Sequence, residues 1–493
     1  MDTGIDKPRR RIPPYLALAP ICVGVFIAAD DQTVIVTVLP QIMLDLKVQI
    51  TELSRASWTI TGYLLGYVAA MPLIGRLSDV WGHRNIYIAS MLLFMVGSAL
   101  AALTTDLTAL IAARVFQAVG AGALIPISIA MVGDLFPPGE RGVPLGIMGA
   151  SAEAGGVIGP LWGGLIIRYL DWPWVFWINI PLGAAVLLLM IPLVKSSPRF
   201  SAKVDYLGGG LLAVSLSTLT LGMARIDSFD LLMLAYFAAS LATLGLFVVR
   251  VRKADDPLLP PSMFRILAFS AANGVHLLIG GALIIGMVTV PLMANTVLGQ
   301  TPLGGGLMLM RMTAAIPFGA LLGGFACQRL DYRAPTVIGL ALAALGFGLM
   351  SQWGLDIGDP SMTVHLAIVG FGFGLLIAPI ALAATNSVEP GLRGAAAGLI
   401  TASRVVGMTI GLAMLTAWGT GRFQDLVAGM ALPFPLTGDT PEQSTQRLTD
   451  FETGLSDAGL SLFSDFFSIA MVVCIVAIGV AVFMVWKPGK SES

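Results

Sequence analysis

The sequence predicts an all-α integral membrane protein of fourteen spanning helices, grouped as six, two and six. Three observations predict it. The first is composition: of 493 residues, 56% are hydrophobic and only 12% charged, about half the charged share of a soluble domain. So few charges cannot cover so much apolar surface in water. The second is a succession of fourteen apolar runs, each near the roughly 20 residues that a spanning helix needs. The third is an internal repeat that divides those runs into two similar sets. A net charge of −1 without clustered bases leaves nothing to follow a nucleic-acid backbone. Cys22, Cys327 and Cys474 are scattered through apolar runs, which suggests neither a disulfide framework nor a metal site.

The runs fall near 15–40, 55–76, 85–104, 108–135, 142–168, 173–194, 206–224, 231–250, 266–297, 303–327, 334–352, 363–386, 393–420 and 463–486. A short basic start, M-D-T-G-I-D-K-P-R-R-R, imitates a signal peptide. The run behind it is too long for one, holds Asp30 and Asp31, and lacks a small-x-small cleavage pattern. It reads as an uncleaved first span. With a cytoplasmic N-terminus, nineteen Lys and Arg lie on that side and six on the other, while Arg114, Arg311 and Arg404 remain inside helices. The positive-inside rule then puts both termini in the cytoplasm, in a multi-pass protein of the inner (cytoplasmic) membrane.

The repeat is short but specific. P-G-E-R-G-V-P-L-G-I-M-G-A-S at 138–151 aligns with P-G-L-R-G-A-A-A-G-L-I-T-A-S at 390–403, and Gly75 to Arg84 resembles Gly324 to Arg333. The two offsets, 252 and 249 residues, imply two parallel homologous halves, as in transporters that rock one half against the other. The expected organisation is a cytoplasmic tail at 1–14 and an N-terminal six-helix half at 15–194. A linker with an inserted helix pair follows at 195–265, then a C-terminal half at 266–486 and a tail at 487–493. Residues 421–462, rich in Asp, Thr, Gln and Pro, read as one long periplasmic loop. It is expected to be either solvated, with a short amphipathic turn near Phe451 to Leu462, or a docking surface for a periplasmic partner.

Gly149 to Gly164 reads G-A-S-A-E-A-G-G-V-I-G-P-L-W-G-G. In water this is a poor helix, because an internal Gly costs about 1 kcal/mol against Ala and Pro about 3. In a membrane, small residues let helices approach closely and neighbours satisfy what Pro leaves unpaired. Its one acid is Glu153, and Arg404 stands one place before the equivalent position in the repeat. Both lie roughly 17–18 Å into their helices at ~1.5 Å per residue, near the middle of a hydrocarbon core about 30 Å thick. Asp31 is at similar depth. A charge there is costly, so each is expected to face the cavity and to have a partner.

G-R-L-S-D-V-W-G-H-R (75–84) falls where a short loop joins the second and third helices. Gly75 and Gly82 suit a tight reversal, and Asp79 is placed to cap a helix N-terminus or pair with an arginine such as Arg84. R-V-F-Q-A-V-G-A-G (114–122) holds Arg114, Gln117 and Gly120, and D-Q-T-V-I-V-T-V-L-P (31–40) holds Asp31, Thr33 and Pro40. The glycine stretch supplies Gly155, Gly159, Pro160, Gly163 and Gly164. Together these resemble the signature motifs of the major facilitator superfamily, in its 14-helix drug:proton antiporter branch, with His83 where a basic residue is usual. Asp31, Glu153 and Arg404 are also similar to the mycobacterial triacylglyceride exporters of that family, which work with a lipoprotein. So are L-L-G-Y-V-A-A-M-P-L-I-G-R (64–76), F-W-I-N-I-P-L (176–182) and A-W-G-T-G-R-F (417–423), although the connection at 353–362 is shorter than theirs.

The resemblance implies the major facilitator fold and a proton-coupled exporter working by alternating access, driven by the proton gradient without a cofactor. Asp31, Glu153 and Arg114 are the candidates for proton coupling. Asp31 is the first choice, against a purely structural hydrogen-bonding role. Glu153 and Arg404 are read as a gating ion pair between the halves, or as a static buried pair. Gly75, Asp79, Gly82 and Arg84 form the conformational loop, and Gly155, Gly159, Pro160, Gly163 and Gly164 the sliding surface between halves. Asp30, Gln117, His276 and Arg311 are candidate polar residues of the cavity. His276 is alternatively a satisfied structural histidine, and Arg311 a residue that snorkels to the surface. Two substrate classes stay open, triacylglyceride-like lipid and cationic drugs or dyes. The expected partners are that substrate, protons, membrane lipid and a periplasmic lipoprotein. No nucleophile–base set, metal-ligand cluster or phosphate loop points to an enzyme.

Overall fold

A computed structural model describes residues 13–49, 52–197, 199–200, 203–226, 229–430, 434 and 440–485. Nearly all of the two expected tails, with their basic residues, lie outside it. Among the described residues, fourteen helices are long and apolar enough to cross a membrane. They are α1 (Pro14–Asp45), α2 (Trp58–Trp81), α3 (His83–Ala102), α4 (Leu107–Leu135), α5 (Gly142–Tyr169), α6 (Trp174–Leu193) and α7 (Tyr206–Met223). The rest are α8 (Leu231–Lys253), α9 (Leu267–Thr296), α10 (Leu303–Ala326), α11 (Arg333–Met350), α12 (Ser361–Asn386), α13 (Arg393–Val427) and α14 (Pro441–Ala481).

Local chemistry sets many of the starts. Asp106, Asp205 and Asp230 accept from the backbone N–H groups of Ala109, Gly208 and Met233, capping α4, α7 and α8. Within the N-terminal set, α1 packs on α5 and α4 on both α2 and α3. In the C-terminal set, α9 packs on α13, α12 on α10 and α11, and α14 on α9 and α11. The helices α7 and α8 pair with each other, and α7 leans on α2. The two sets meet chiefly through α2 with α13 and α5 with α10.

The structure corrects four expectations. The stretch 75–84 is not a loop: α2 runs helical to Trp81, α3 begins at His83, and only Gly82 breaks the path, at φ 91°. One residue in the left-handed region suffices to turn the chain, and only glycine takes it without strain. Secondly, α10 is interrupted at Ala314, between helical segments Pro302–Thr313 and Ala315–Ala326. Thirdly, 421–462 is mostly helix. α13 continues to Val427, and α14 starts at Pro441 behind a capping box in which Thr440 and Gln443 satisfy each other's backbone N–H groups. Arg422 Nε donates to Asp465 Oδ2 at 2.9 Å, tying the two extensions together. Phe451 to Leu462 is therefore part of one long helix rather than an isolated turn, and 431–433 and 435–439 lie outside the described residues.

The fourth correction concerns the glycines. A Cβ on Gly155, Gly159 or Gly163 would meet Phe26, Asp30, Thr33, Val34 and Val38, all on α1 of the same half. That motif is the seam between α5 and α1, not a surface between halves. The glycines that meet the other half lie earlier on α5. Gly142 abuts the backbone of Gly324, Gly146 that of Ala320, and Gly149 the side chain of Ile377.

Candidate functional site

The repeats found in the sequence are the surfaces that touch. Gly75 of α2 abuts Gly394 of α13, and Gly142 of α5 abuts Gly324 of α10, the same contact made twice with the halves exchanged. One turn further in, Gly398 lies against Met71 and Gly146 against Ala320, again equivalent positions. Backbone on backbone at these four places closes one end of the molecule, called here the Asp79 end. Any side chain at them would separate the halves.

Asp79 is fully buried and clamps that end. Its Oδ1 accepts from the N–H of Gly394 at 2.7 Å and its Oδ2 from Ala395 at 3.0 Å. The carboxylate thus caps the first turn of a helix in the opposite half, where two free N–H groups and the helix dipole favour a negative charge. Arg76 Nη1 reinforces this by donating to the Gly391 carbonyl at 2.7 Å. Arg141 donates to the carbonyls of Phe136 and Gly133 and to Asn386 across the interface. Burial and the nearby Arg393 push the Arg141 guanidinium down to about 10, which leaves it charged at neutral pH. Arg84 stands apart from this clamp and donates to the Ile191 carbonyl at 2.8 Å.

Deeper in the N-terminal half lies a closed polar cluster. Asp31 and Arg114 have no exposed surface, and Arg114 Nη1 donates to Asp31 Oδ2 at 2.6 Å. Gln117 Nε2 and Asn179 Nδ2 each donate to Asp31 Oδ1 at 2.9 Å, and both also reach Ser98 Oγ. The guanidinium lies over the Tyr63 ring, 4.0 Å from its centroid. A buried pair needs its remaining donors and acceptors matched. Gln117 of α4 and Asn179 of α6 match Asp31, and Gln117 Oε1 also accepts from Arg114 Nη1. Ser98 of α3 backs both amides, and the buried Arg114 Nε has no partner. The expectation that Asp31 faces the cavity is therefore corrected: it is enclosed, and its partner is Arg114. Ser98 carries a signal, a polar residue in an apolar helix, and Asn179 stands within F-W-I-N-I-P-L, but nothing in the sequence joins either of them to Asp31.

Between the clamp and this depth stands the pair expected to bridge the halves. Arg404 Nη1 donates to Glu153 Oε1 at 2.7 Å, with side-chain exposures of 25% and 17%. Asp30 is half-buried, and its buried Oδ1 accepts no hydrogen bond. His276 Nδ1 lies 2.6 Å from the Ile400 carbonyl, a bond that satisfies it structurally. Arg311 Nη1 donates to Asp359 at 2.6 Å and Thr363 at 2.9 Å. That pair is at the edge of the structure, where the Thr363 hydroxyl, and then Arg311, hold the Asp359 carboxyl below its usual range. The structure thus joins Asp31, Arg114 and Gln117 in one cluster and Glu153 with Arg404 in another. Asp30, His276 and Arg311 belong to neither.

A cleft of about 420 Å³ opens between α9, α13 and α14, lined by Leu278, Ile285, Ile410, Met414, Trp418 and Phe466 among others, with no charged side chain.

Residues 21–412 match the model of the Major Facilitator Superfamily. The chain belongs to that superfamily. It is 34% identical over 480 residues, covering 94% of this chain and 86% of the relative, to a triacylglyceride transporter of Mycolicibacterium smegmatis. It is 33% identical over 483 residues, 93% and 92% of the two chains, to a triacylglyceride transporter of Mycobacterium tuberculosis. Among solved structures, the human organic anion transporter MFSD10 superposes with a TM-score of 0.61 at 16% identity, covering 94% of this chain and all of the other. The proton:xylose symporter XylE superposes with a TM-score of 0.57 at 14% identity, covering 93% and 94%. At such identities these two superfamily structures speak for the fold alone. It is a multi-pass membrane fold of the major facilitator type, with the extra helices α7 and α8 falling between the two six-helix sets in chain order.

Proposed function

We propose that the protein is a proton-coupled exporter of hydrophobic lipid, of the triacylglyceride type, working by alternating access in the inner membrane. The observation that carries this reading is the Glu153–Arg404 pair, one charge from each half, about three helical turns in from the closed Asp79 end. A charge pair between two rocking bodies must break when that end opens, and protonating Glu153 weakens it. In this reading the structure is the outward-facing state, the Asp79 end is cytoplasmic, and both termini lie there. Asp31 is the proton site, with Arg114 as the charge that drives release. Exchange at Asp31 requires the cluster to loosen during the cycle, because nothing reaches it in this state.

Lipid as substrate is supported by what the similar mycobacterial proteins are named to carry and by the wholly apolar cleft at α9, α13 and α14. The helical extensions of α13 and α14 are the natural place for a periplasmic lipoprotein to dock. A second reading, export of cationic drugs, is favoured by one observation. Asp31 is already neutralised by Arg114, but Asp30 is only half-buried, its buried Oδ1 has no partner, and the exposed part of its carboxylate is where an amphiphilic cation would pair. Reconstitution into proteoliposomes with a fluorescent triacylglyceride and, separately, a cationic dye distinguishes the two. Gradient-driven movement of the lipid supports the first reading. Movement of the dye alone gives the site to the second.

A further inference from the structure

His83 opens α3 with no exposed surface, and the proposed transport cycle does not use it. Its Nδ1 lies 2.7 Å from Asp134 Oδ2 on α4, and its Nε2 lies 3.1 Å from Asp79 Oδ1 on α2. A neutral imidazole carries one N–H, so only the doubly protonated ring donates to both carboxylates. Asp79 Oδ1 is also the atom that accepts from Gly394 in the other half. The ring is therefore in line with the clamp that closes this end.

The other charges around it are fixed cations. Arg76 of α2 is 3.9 Å from Asp79, and Arg393 of α13 is 4.0 Å from Asp134. Arg393 and Arg141 both donate to the Gly133 carbonyl beside Asp134, and Arg84, next along α3, turns away to Ile191. A pocket of about 550 Å³ reaches Asp134 from the surface of this end, lined also by Met131, Leu135, Lys195, Ser196 and Ser197. Asp134 keeps 14% exposure where His83 has none, so protons have a route to the ring through Asp134 that avoids the middle of the membrane.

We infer that His83 is a proton-sensing switch for the clamp, closing the Asp79 end when charged and releasing it when neutral. After deprotonation one ring nitrogen turns a lone pair toward a carboxylate. Either Asp134 or Asp79 then loses its donor, and a clamp built on a buried charge loses its support. An arginine or lysine in this place would keep its charge throughout, whereas an imidazole can give its proton up. The two carboxylates that face the ring favour its charged form, so release comes on the alkaline side of the ordinary histidine range. With this end cytoplasmic, which rests on the proposed function, acidification of the cytoplasm holds the exporter shut. An alkaline interior, the condition under which the gradient exists, lets it open to load.

The test reads the clamp without reading transport, so its failure is separable from failure of the proposed function. Spin labels are placed on the full chain in lipid nanodiscs by Gly139→Cys and Glu389→Cys, with Cys22, Cys327 and Cys474 replaced by Ala. The distance between labels is then measured from about pH 5.5 to about pH 10, a window that extends above the ordinary histidine range because two carboxylates hold the proton on the ring. The expected result is a fall of about tenfold or more in the closed-to-open ratio as pH rises, the effect of losing one charge-assisted bond. His83→Arg removes the pH dependence, and His83→Gln gives the high-pH distribution throughout. Asp134→Asn, which keeps the ring but removes one carboxylate, moves the transition to lower pH. A native distribution that does not change with pH overturns the inference, and so does a His83→Arg protein that titrates like the native one.

Discussion

Glu153→Gln isolates the charge between the halves with little change of shape. The Nη1–Oε1 distance is 2.7 Å. Taking the charge centres as about 4 Å apart at an effective dielectric of ~20, the bare attraction is about 4 kcal/mol. Both side chains keep some exposure, 25% and 17%, so screening and the cost of desolvation remove much of that. The net loss expected is that of one charge-assisted hydrogen bond, about 1.5–3 kcal/mol. At about 1.4 kcal/mol per factor of ten, the closed state is disfavoured by roughly tenfold to a hundredfold. The assay pairs lipid export from proteoliposomes with label distances across the Asp79 end at fixed pH. Export should fall and the open population should rise together. Exchanging the charges, Glu153→Arg with Arg404→Glu, should restore part of both, because the coupling is between the two residues. If Glu153→Gln exports at the native rate with an unchanged closed population, the pair is a static ornament of the fold and the gating argument is wrong.

Other outcomes follow from the same contacts. Asp31→Asn leaves Arg114 buried without its counter-charge, a loss of about 3–5 kcal/mol; thermal unfolding in detergent should fall by several degrees and export should cease, and a native melting curve with intact export would contradict the cluster's role. Gly159→Leu puts a side chain into the Thr33 and Asp30 positions on α1 and should abolish a monodisperse folded preparation, whereas Gly164→Ala, whose nearest neighbour is Thr37 at 4.0 Å, should behave as native in size-exclusion and thermal assays. Arg311→Gln breaks a peripheral pair with Asp359 whose side chains are 34% and 56% exposed, worth at most about 1 kcal/mol; an export defect larger than twofold would assign Arg311 a function that its position does not suggest.

The sequence made the spans legible because a bilayer imposes a length and a composition on them, and the fourteen apolar runs correspond to fourteen spanning helices among the described residues. The Glu153–Arg404 contact was legible because the repeat supplied a register between halves that are far apart along the chain. Other features depended on contacts that periodicity does not encode. Gly155, Gly159 and Gly163 face α1 instead of the opposite half, since which face a helix turns inward is settled by its neighbours. The polar stretch 421–462 looked like a loop because a helix projecting beyond a membrane carries no apolar run, although Thr440, Pro441 and Gln443 already spelled a capping box. Capping a helix N-terminus is one of the two roles the place of Asp79 suggests, but the N–H groups it accepts from begin 315 residues later, at Gly394. Asn179 and Ser98 gained meaning only when Asp31 was seen between them.

Coupling to protons is most directly tested by lumenal pH. Proteoliposomes carry a trapped pH indicator and a fluorescent triacylglyceride, with the Asp79 end facing the lumen and an acidic bath outside. The expected result is lumenal acidification that begins with lipid export, scales with it, and is lost in Asp31→Asn. Lipid export that proceeds at the same rate without a pH gradient, and with no change in lumenal pH, would contradict proton coupling.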